Sequence, residues 1–332
     1  MKKISIVVST YNEESALPLF YKEACRVLSR ISWDYELIFV NDGSQDQTPL
    51  LLDQIVREDS KVRVIHLSRN FGHEAAMIAG LDYARGDGVI CMDCDLQHPP
   101  EKIPEILACF EQGYDVISMV REKNEDAGLL SRICSSLFYR ILNLFSPVRF
   151  ENNSSDFFAV SRQAADVLRQ DYRERVRYLR GYVQNIGFSR TTISFEAPAR
   201  AAGKSKYSLM KLIRFSLDTL CSFSDFPLKI GILAGTVVGG LGLILMGYSI
   251  IMWFVQDDVP SGYSTLIVIL CLLFAVMFWL IGLIGYYIGI LFQEIKGRPI
   301  YIVKEVLESE DTDQLDQKEP EGDSEWDDTG IR

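Results

Sequence analysis

The chain has 332 residues, a formal net charge of −11 and 48% apolar residues. That apolar share excludes a disordered chain, the acid excess argues against a nucleic-acid partner, and the length allows one large or two modest domains. Glu305 to Asp328 carries twelve acids against Lys318 alone, so the excess sits at the end of the chain and the body is close to neutral.

Lys2 and Lys3 precede a short apolar stretch that breaks at Ser9-Thr10-Tyr11-Asn12-Glu13-Glu14. This is no signal-peptide pattern, so the residues ahead of the first long apolar run are expected to stay cytosolic. Strands are predicted at Ile4 to Val8, Glu36 to Val40, Val62 to Leu67, Val89 to Met92 and Val116 to Met119, with helical stretches between them. Their apolar residues run continuously instead of alternating, which implies a mostly parallel α/β sheet covered on both faces. Ligands of such sheets bind beyond the carboxyl ends of the strands. There the sequence places Thr10-Tyr11-Asn12-Glu13, Asn41-Asp42-Gly43-Ser44, Ser68-Arg69-Asn70-Phe71-Gly72 and Asp93-Cys94-Asp95.

Any one of these loops could simply turn the chain or cap a helix. Together they converge on one rim, where Asp93 and Asp95, spaced i, i+2, can offer two carboxylates to Mg²⁺ or Mn²⁺ bound to a diphosphate. Cys91 and Cys94 have CxxC spacing, but three apart on a strand they face opposite sides, unlike a redox pair.

Leu129 to Leu142 and Ser208 to Phe226 are apolar at helical spacing and interrupted by Arg132, Arg140, Lys211 and Arg214. These stretches are expected to lie in the cytoplasmic headgroup layer. Ile230 to Gln256 and Val259 to Gln293 carry no charge, and each exceeds the roughly 20 residues that cross a bilayer. Trp253, Tyr286 and Tyr287 suit membrane interfaces. Lys229, Lys296 and Arg298 flank the pair while Asp257 and Asp258 stand between the runs, so the positive-inside rule puts both long ends in the cytoplasm.

Read in order, Val7-Val8-Ser9-Thr10-Tyr11-Asn12-Glu13-Glu14, Val40-Asn41-Asp42-Gly43-Ser44, Arg69-Asn70-Phe71-Gly72, Met92-Asp93-Cys94-Asp95-Leu96-Gln97-His98-Pro99 and Gly203-Lys204-Ser205-Lys206-Tyr207 resemble glycosyltransferase family 2. Within it the chain is most similar to polyprenyl-phosphate glycosyltransferases of the bactoprenol glucosyltransferase and dolichol-phosphate mannose synthase kind. The likeness continues through Ser222 to Lys229 and on to Gly285-Tyr286-Tyr287-Ile288-Gly289.

The resemblance implies a GT-A-like, mostly parallel sheet with helices on both faces, followed by juxtamembrane amphipathic helices and two transmembrane helices. The expected organisation is a cytosolic catalytic domain over 1–206, an amphipathic helix over 207–228, a transmembrane hairpin over 229–296 and an acidic, disordered tail over 297–332, in a bacterial plasma membrane. The implied reaction moves a sugar, glucose first, from a UDP-sugar to undecaprenyl phosphate with inversion. UDP-N-acetylglucosamine or GDP-mannose as donor, or an idle sugar-nucleotide-binding scaffold, are the alternatives. A processive polysaccharide synthase is disfavoured because Arg177-Tyr178-Leu179-Arg180-Gly181 lacks a Gln-x-x-Arg-Trp pattern.

By the same resemblance Thr10, Tyr11, Glu13, Asp42, Asn70, Asp93 and Arg200 bind the nucleotide sugar. Asp93, Asp95 and Gln97 hold the ion, and Asp95 and Asp156 are catalytic. Arg121, Arg132, Ser136 and Lys206 meet the lipid phosphate. Asp156 matches the aspartate of an Asp-Phe-Arg-Leu motif, usually given the base role, but the arginine of that motif is Phe158 here. A homo-oligomer is left open.

Overall fold

The computed structural model describes residues 2–122, 154–175, 178–196, 226–255 and 262–309. The strands are β1 (Lys3–Thr10), β2 (Asp34–Asn41), β3 (Val62–Leu67), β4 (Gly88–Asp93), β5 (Val116–Arg121), β6 (Ser154–Ser161), β7 (Arg190–Phe195) and β8 (Val303–Glu308). The helices are α1 (Leu17–Leu28), α2 (Thr48–Glu58), α3 (His73–Tyr83), α4 (Ile103–Glu111), α5 (Arg162–Gln170), α6 (Leu179–Asn185), α7 (Phe226–Val255) and α8 (Tyr263–Ile295).

All eight strands form one sheet in the order β7-β5-β6-β4-β1-β2-β3-β8. The centre is parallel, as predicted, whereas β6 runs antiparallel to β4 and β5, and β8 antiparallel to β3. Each central strand divides its apolar residues between two cores. Ile4, Ile6 and Val8 join Leu17, Phe20 and Ile106 on one face, while Val7, Ile38 and Cys91 join Ala76, Ala165 and Val183 on the other. Helix α3 is buried at every position from Ala75 to Leu81. It lies close against β1 because of Gly80, where an added Cβ would sit 2.1 Å from Val7 Cγ1.

The sequence reading makes residues 297–332 one disordered tail, and here the structure differs: Val303–Glu308 forms an edge strand. A buried charge cluster explains why so acidic a segment docks. Arg63, 7% exposed, has its Nε 2.6 Å from Glu308 and Nη2 3.8 Å from Glu36. Glu36 also accepts from the Ser5 hydroxyl at 2.5 Å and the Arg85 N–H at 2.6 Å. Burial would raise its carboxyl, but these donors, with Lys3 and Arg63, outweigh that and hold it below the usual value.

Among the described residues, two helices are long and apolar enough to cross a membrane, over Leu228–Met252 and Leu272–Ile295, and almost none of their residues is buried. A soluble core helix would be buried, so these surfaces fit a lipid environment and the protein is membrane-associated. Gly231 and Gly235 bring α7 close to Leu280 of α8, a small-residue contact of the kind that packs helices in lipid. The chain leaving α8 returns to the sheet at the carboxyl end of β3, where the Ser68 N–H donates to the Ile302 carbonyl. The predicted amphipathic stretch at 129–142, the stretch at 208–226 up to Phe226, which opens α7, and residues 310–332 of the tail lie outside the described residues.

Candidate active site

The parallel register of β1 with β2 and β4 brings Thr10 beside Asn41 and Ser9 beside Asp93, so the polar loops emerge side by side. Backbone conformation then aims them. Asn12 and Leu96 have φ of +56° and +62°, left-handed values uncommon outside glycine, at the turns after β1 and after Asp95. At Gly43 (φ +66°) a Cβ would come within 2.5 Å of the Arg69 carbonyl carbon, so glycine lets the second and third loops cross. Asp42, 2% exposed, fastens that crossing by accepting the N–H groups of Phe71 (2.7 Å) and Gly72 (2.9 Å).

Asp93 is the hub of the deeper site. Its Oδ1 accepts the Ser9 hydroxyl at 3.3 Å and lies 3.6 Å from His73 Nε2, which is also 3.9 Å from Asp156 Oδ2. Because Ser9 has one proton and gives it to Asp93, His73 Nδ1, 3.0 Å away, is the donor to Ser9. Burial would lower the His73 pKa, but Asp93 and then Asp156 outweigh it and raise the value.

His98 is the opposite case. Its Nδ1 accepts the Asp93 N–H at 2.9 Å, which leaves Nε2–H to donate to Ser155 Oγ at 2.8 Å, and burial lowers its pKa. It is therefore a neutral post behind Asp93, stacked on Phe157 at 5.1 Å.

Asp156 faces Arg180, whose Nε is 3.0 Å from Oδ1 and whose Nη2 donates to Oδ2 at 3.3 Å. Burial would raise the Asp156 carboxyl, yet Arg180 foremost, then His73, hold it below the usual carboxylate range. Residue 158, where the resemblance expects an arginine, is a phenylalanine 2% exposed in the core. The guanidinium reaches Asp156 from α6 instead. Glu74 holds that helix start by accepting the Leu179 N–H at 2.6 Å, and burial, then Asp156, raise its pKa.

Among the remaining predicted residues, Asp95 accepts the Gln97 N–H at 3.0 Å, and Gln97 Oε1 faces Arg121 Nη2 at 3.5 Å. Tyr11 and Asn70 are exposed at the rim, while the Glu13 N–H is tied to Thr48 Oγ1 at 2.8 Å. Thr10 is 1% exposed and donates its hydroxyl to the Val40 carbonyl, tying β1 to β2. Arg132, Ser136, Arg200 and Lys206 lie outside the described residues.

Among the described residues no three His, Cys, Asp or Glu side chains form a metal cage. The chemistry of Asp93 and Asp95 fits a different arrangement, in which Mg²⁺ or Mn²⁺ takes one or two carboxylates and completes its shell with substrate phosphates and water.

An open α/β sheet with polar loops and two aspartates at its carboxyl rim, followed by two membrane-length helices, has the layout of a membrane-associated enzyme. The model of glycosyl transferase family 2 matches residues 5–169. An uncharacterized glycosyltransferase, YkcC of Bacillus subtilis, is 36% identical over 300 residues, 90% of this chain and 93% of that protein. A prophage-derived bactoprenol glucosyl transferase of Shigella flexneri is 34% identical over 91% of this chain and 97% of its own length. The prophage bactoprenol glucosyl transferase homolog of Escherichia coli is 34% identical over 92% and 99%. Among solved structures, glucosyl-3-phosphoglycerate synthase of Mycobacterium tuberculosis is similar at a TM-score of 0.46 and 18% identity, over 67% of this chain and 80% of that one. The chain belongs to glycosyl transferase family 2 and is a glycosyltransferase.

Proposed function

We propose that the enzyme transfers a hexose, glucose first among candidates, from a UDP-sugar to undecaprenyl phosphate with inversion at the anomeric carbon, on the cytoplasmic face of a bacterial plasma membrane. The observation that carries this reading is the convergence of Asp93, Asp156, His73 and Arg180 at a rim from whose side the chain of α8 leaves for the bilayer. Relatives that bear the name bactoprenol glucosyl transferase over nearly their full length support the lipid acceptor. Lys229, Lys296 and Arg298 at the outer ends of the hairpin, against Asp257 and Asp258 between the spans, support cytoplasmic ends.

In this reading the rim loops with Tyr11, Glu13, Asp42 and Asn70 receive the nucleotide. Asp93 and Asp95, with Gln97 alongside, would hold Mg²⁺ or Mn²⁺, which would supply Lewis-acid stabilisation of the diphosphate leaving group. His98 and His73 fix Asp93 from behind and from the side. Arg121 and, from outside the described residues, Arg132, Ser136, Arg200 and Lys206 offset the repulsion between two anionic substrates.

Asp156 positions the acceptor and does little proton abstraction. The acceptor's second phosphate pKa is about 6, so near neutral pH it already carries most of its charge. A carboxylate held below its usual range by Arg180 is a poor base.

The test is purified full-length protein with undecaprenyl phosphate and a panel of radiolabelled UDP- and GDP-sugars. Labelled lipid from UDP-glucose, lost in Asp95→Ala, is the expected result, and activity that persists in excess chelator refutes the roles of Asp93 and Asp95. A scaffold yields no labelled lipid from any donor.

A further inference from the structure

A second cationic feature borders the rim on the side of the loop after β3. Arg69, Asn70, Phe71 and Gly72 from the loop after β3, Arg175 ahead of α6, and Arg298, Pro299 and Ile300 beyond α8 line an open cavity of about 370 Å³. This is within the size range of small-ligand sites. Three guanidinium-bearing residues, far apart in sequence, line it, and none of its lining residues is acidic. The nearby Glu294 is engaged by the Arg175 N–H at 2.6 Å.

The walls are fixed. Asp42 holds the N–H groups of Phe71 and Gly72, Arg69 stacks 4.0 Å over Phe71 and donates to the Asn70 carbonyl at 3.0 Å, and Tyr301 donates to Asp82 at 2.6 Å. Holding three like charges around one concavity costs repulsion that a bound anion relieves. Guanidinium forks match phosphate oxygens in particular. Arg298 stands three residues past Ile295, the last residue of α8, so at most about 10 Å of chain separates it from the span's end. That is headgroup depth, where basic pockets meet lipid phosphates.

We propose that this cavity binds a phosphate group presented at the membrane surface and thereby seats the catalytic rim against the bilayer. The proposal rests on reading α7 and α8 as membrane spans. Its chemistry is common to an anionic phospholipid headgroup, the phosphate of a polyprenyl lipid and free phosphate, and the test separates them.

Full-length protein in neutral detergent is titrated with short-chain phosphatidylglycerol and phosphatidylcholine, with bound lipid read by native mass spectrometry. The wild type is expected to prefer phosphatidylglycerol, and Arg175→Gln/Arg298→Gln to bind it about tenfold more weakly. Arg298→Lys, which keeps the charge but loses the fork, should retain only part of the binding, while Arg298→Glu, a reversal at an exposed side chain, tests the site even if the double variant folds poorly.

Displacement of phosphatidylglycerol by inorganic phosphate identifies a simple phosphate site, displacement only by undecaprenyl phosphate identifies the acceptor lipid, and displacement by neither identifies a phospholipid headgroup site. Equal binding by the wild type and Arg298→Glu, or no preference for phosphatidylglycerol, overturns the proposal. Sugar transfer is assayed in parallel at saturating acceptor. A wild type that binds the lipid but transfers no sugar refutes the transfer reaction and leaves the phosphate site standing.

Discussion

Replacing Arg180 with glutamine removes the cation from the ion pair with Asp156, in which Nε lies 3.0 Å from Oδ1 and Nη2 donates to Oδ2 at 3.3 Å. At 3.0 Å and an effective dielectric of 20 the attraction is about 5 kcal/mol before desolvation is subtracted. Breaking a fully buried pair costs about 3–5 kcal/mol. The side chains here are 25% and 28% exposed, so a loss near the lower end, about 2–3 kcal/mol, is expected. If the pair positions Asp156 for the acceptor, a similar energy lost from the transition state lowers kcat about 100-fold, and Arg180→Lys recovers only part.

Asp156 is held below its unfolded value, so its stabilisation is complete above about pH 4 and is lost as pH falls through the folded value. The Tm difference between wild type and Arg180→Gln should therefore be largest near pH 7 and shrink below pH ~4. Transfer assays in detergent and thermal unfolding across pH read the two effects. A kcat within twofold of wild type, with a Tm difference that does not change with pH, refutes the positioning role.

Gly80→Ala places a methyl 2.1 Å from Val7 Cγ1 inside the core, an overpacking that costs about 1–3 kcal/mol and is read as a lowered Tm. His98→Phe keeps an aromatic ring beside Phe157 but leaves the Asp93 N–H without its acceptor. It should cost about 1–3 kcal/mol and weaken Mn²⁺-dependent UDP binding, measured by calorimetry. Glu308→Ala takes the 2.6 Å partner from buried Arg63, which should lower stability by about 1–3 kcal/mol and loosen β8, seen as faster amide exchange along β3.

The sheet was legible because its strands are continuous apolar runs, and all five predicted strands stand where Ile4, Glu36, Val62, Val89 and Val116 announced them. The rim was legible because polar loops follow those runs directly. β8 was hidden because Lys304, Glu305 and Glu308 read as part of an acidic tail. What docks the strand is Arg63, more than 200 residues away, and no local pattern reports that pairing.

His73, Glu74 and Arg180 were missed for a related reason. His73 and Glu74 directly follow the Arg69-Asn70-Phe71-Gly72 loop, a position that could have flagged them, but their partners lie on β4, β6 and α6. Arg180 sits on a seven-residue helix with too little periodicity to read, and only the fold brings it to Asp156. His98 was visible within the Asp93 motif, but its neutral state depends on the donor and acceptor on either side of its ring.

The most direct test of the central claim is transfer of label from UDP-[¹⁴C]glucose to undecaprenyl phosphate by the purified full-length enzyme with Mn²⁺, run beside Asp156→Asn. Labelled lipid from the wild type, and a uniform loss of rate in the variant with an unchanged pH profile, are the expected results. Absence of labelled lipid with every UDP- and GDP-sugar would contradict the proposed reaction, and a displaced limb in the Asp156→Asn profile would restore that residue to the role of base.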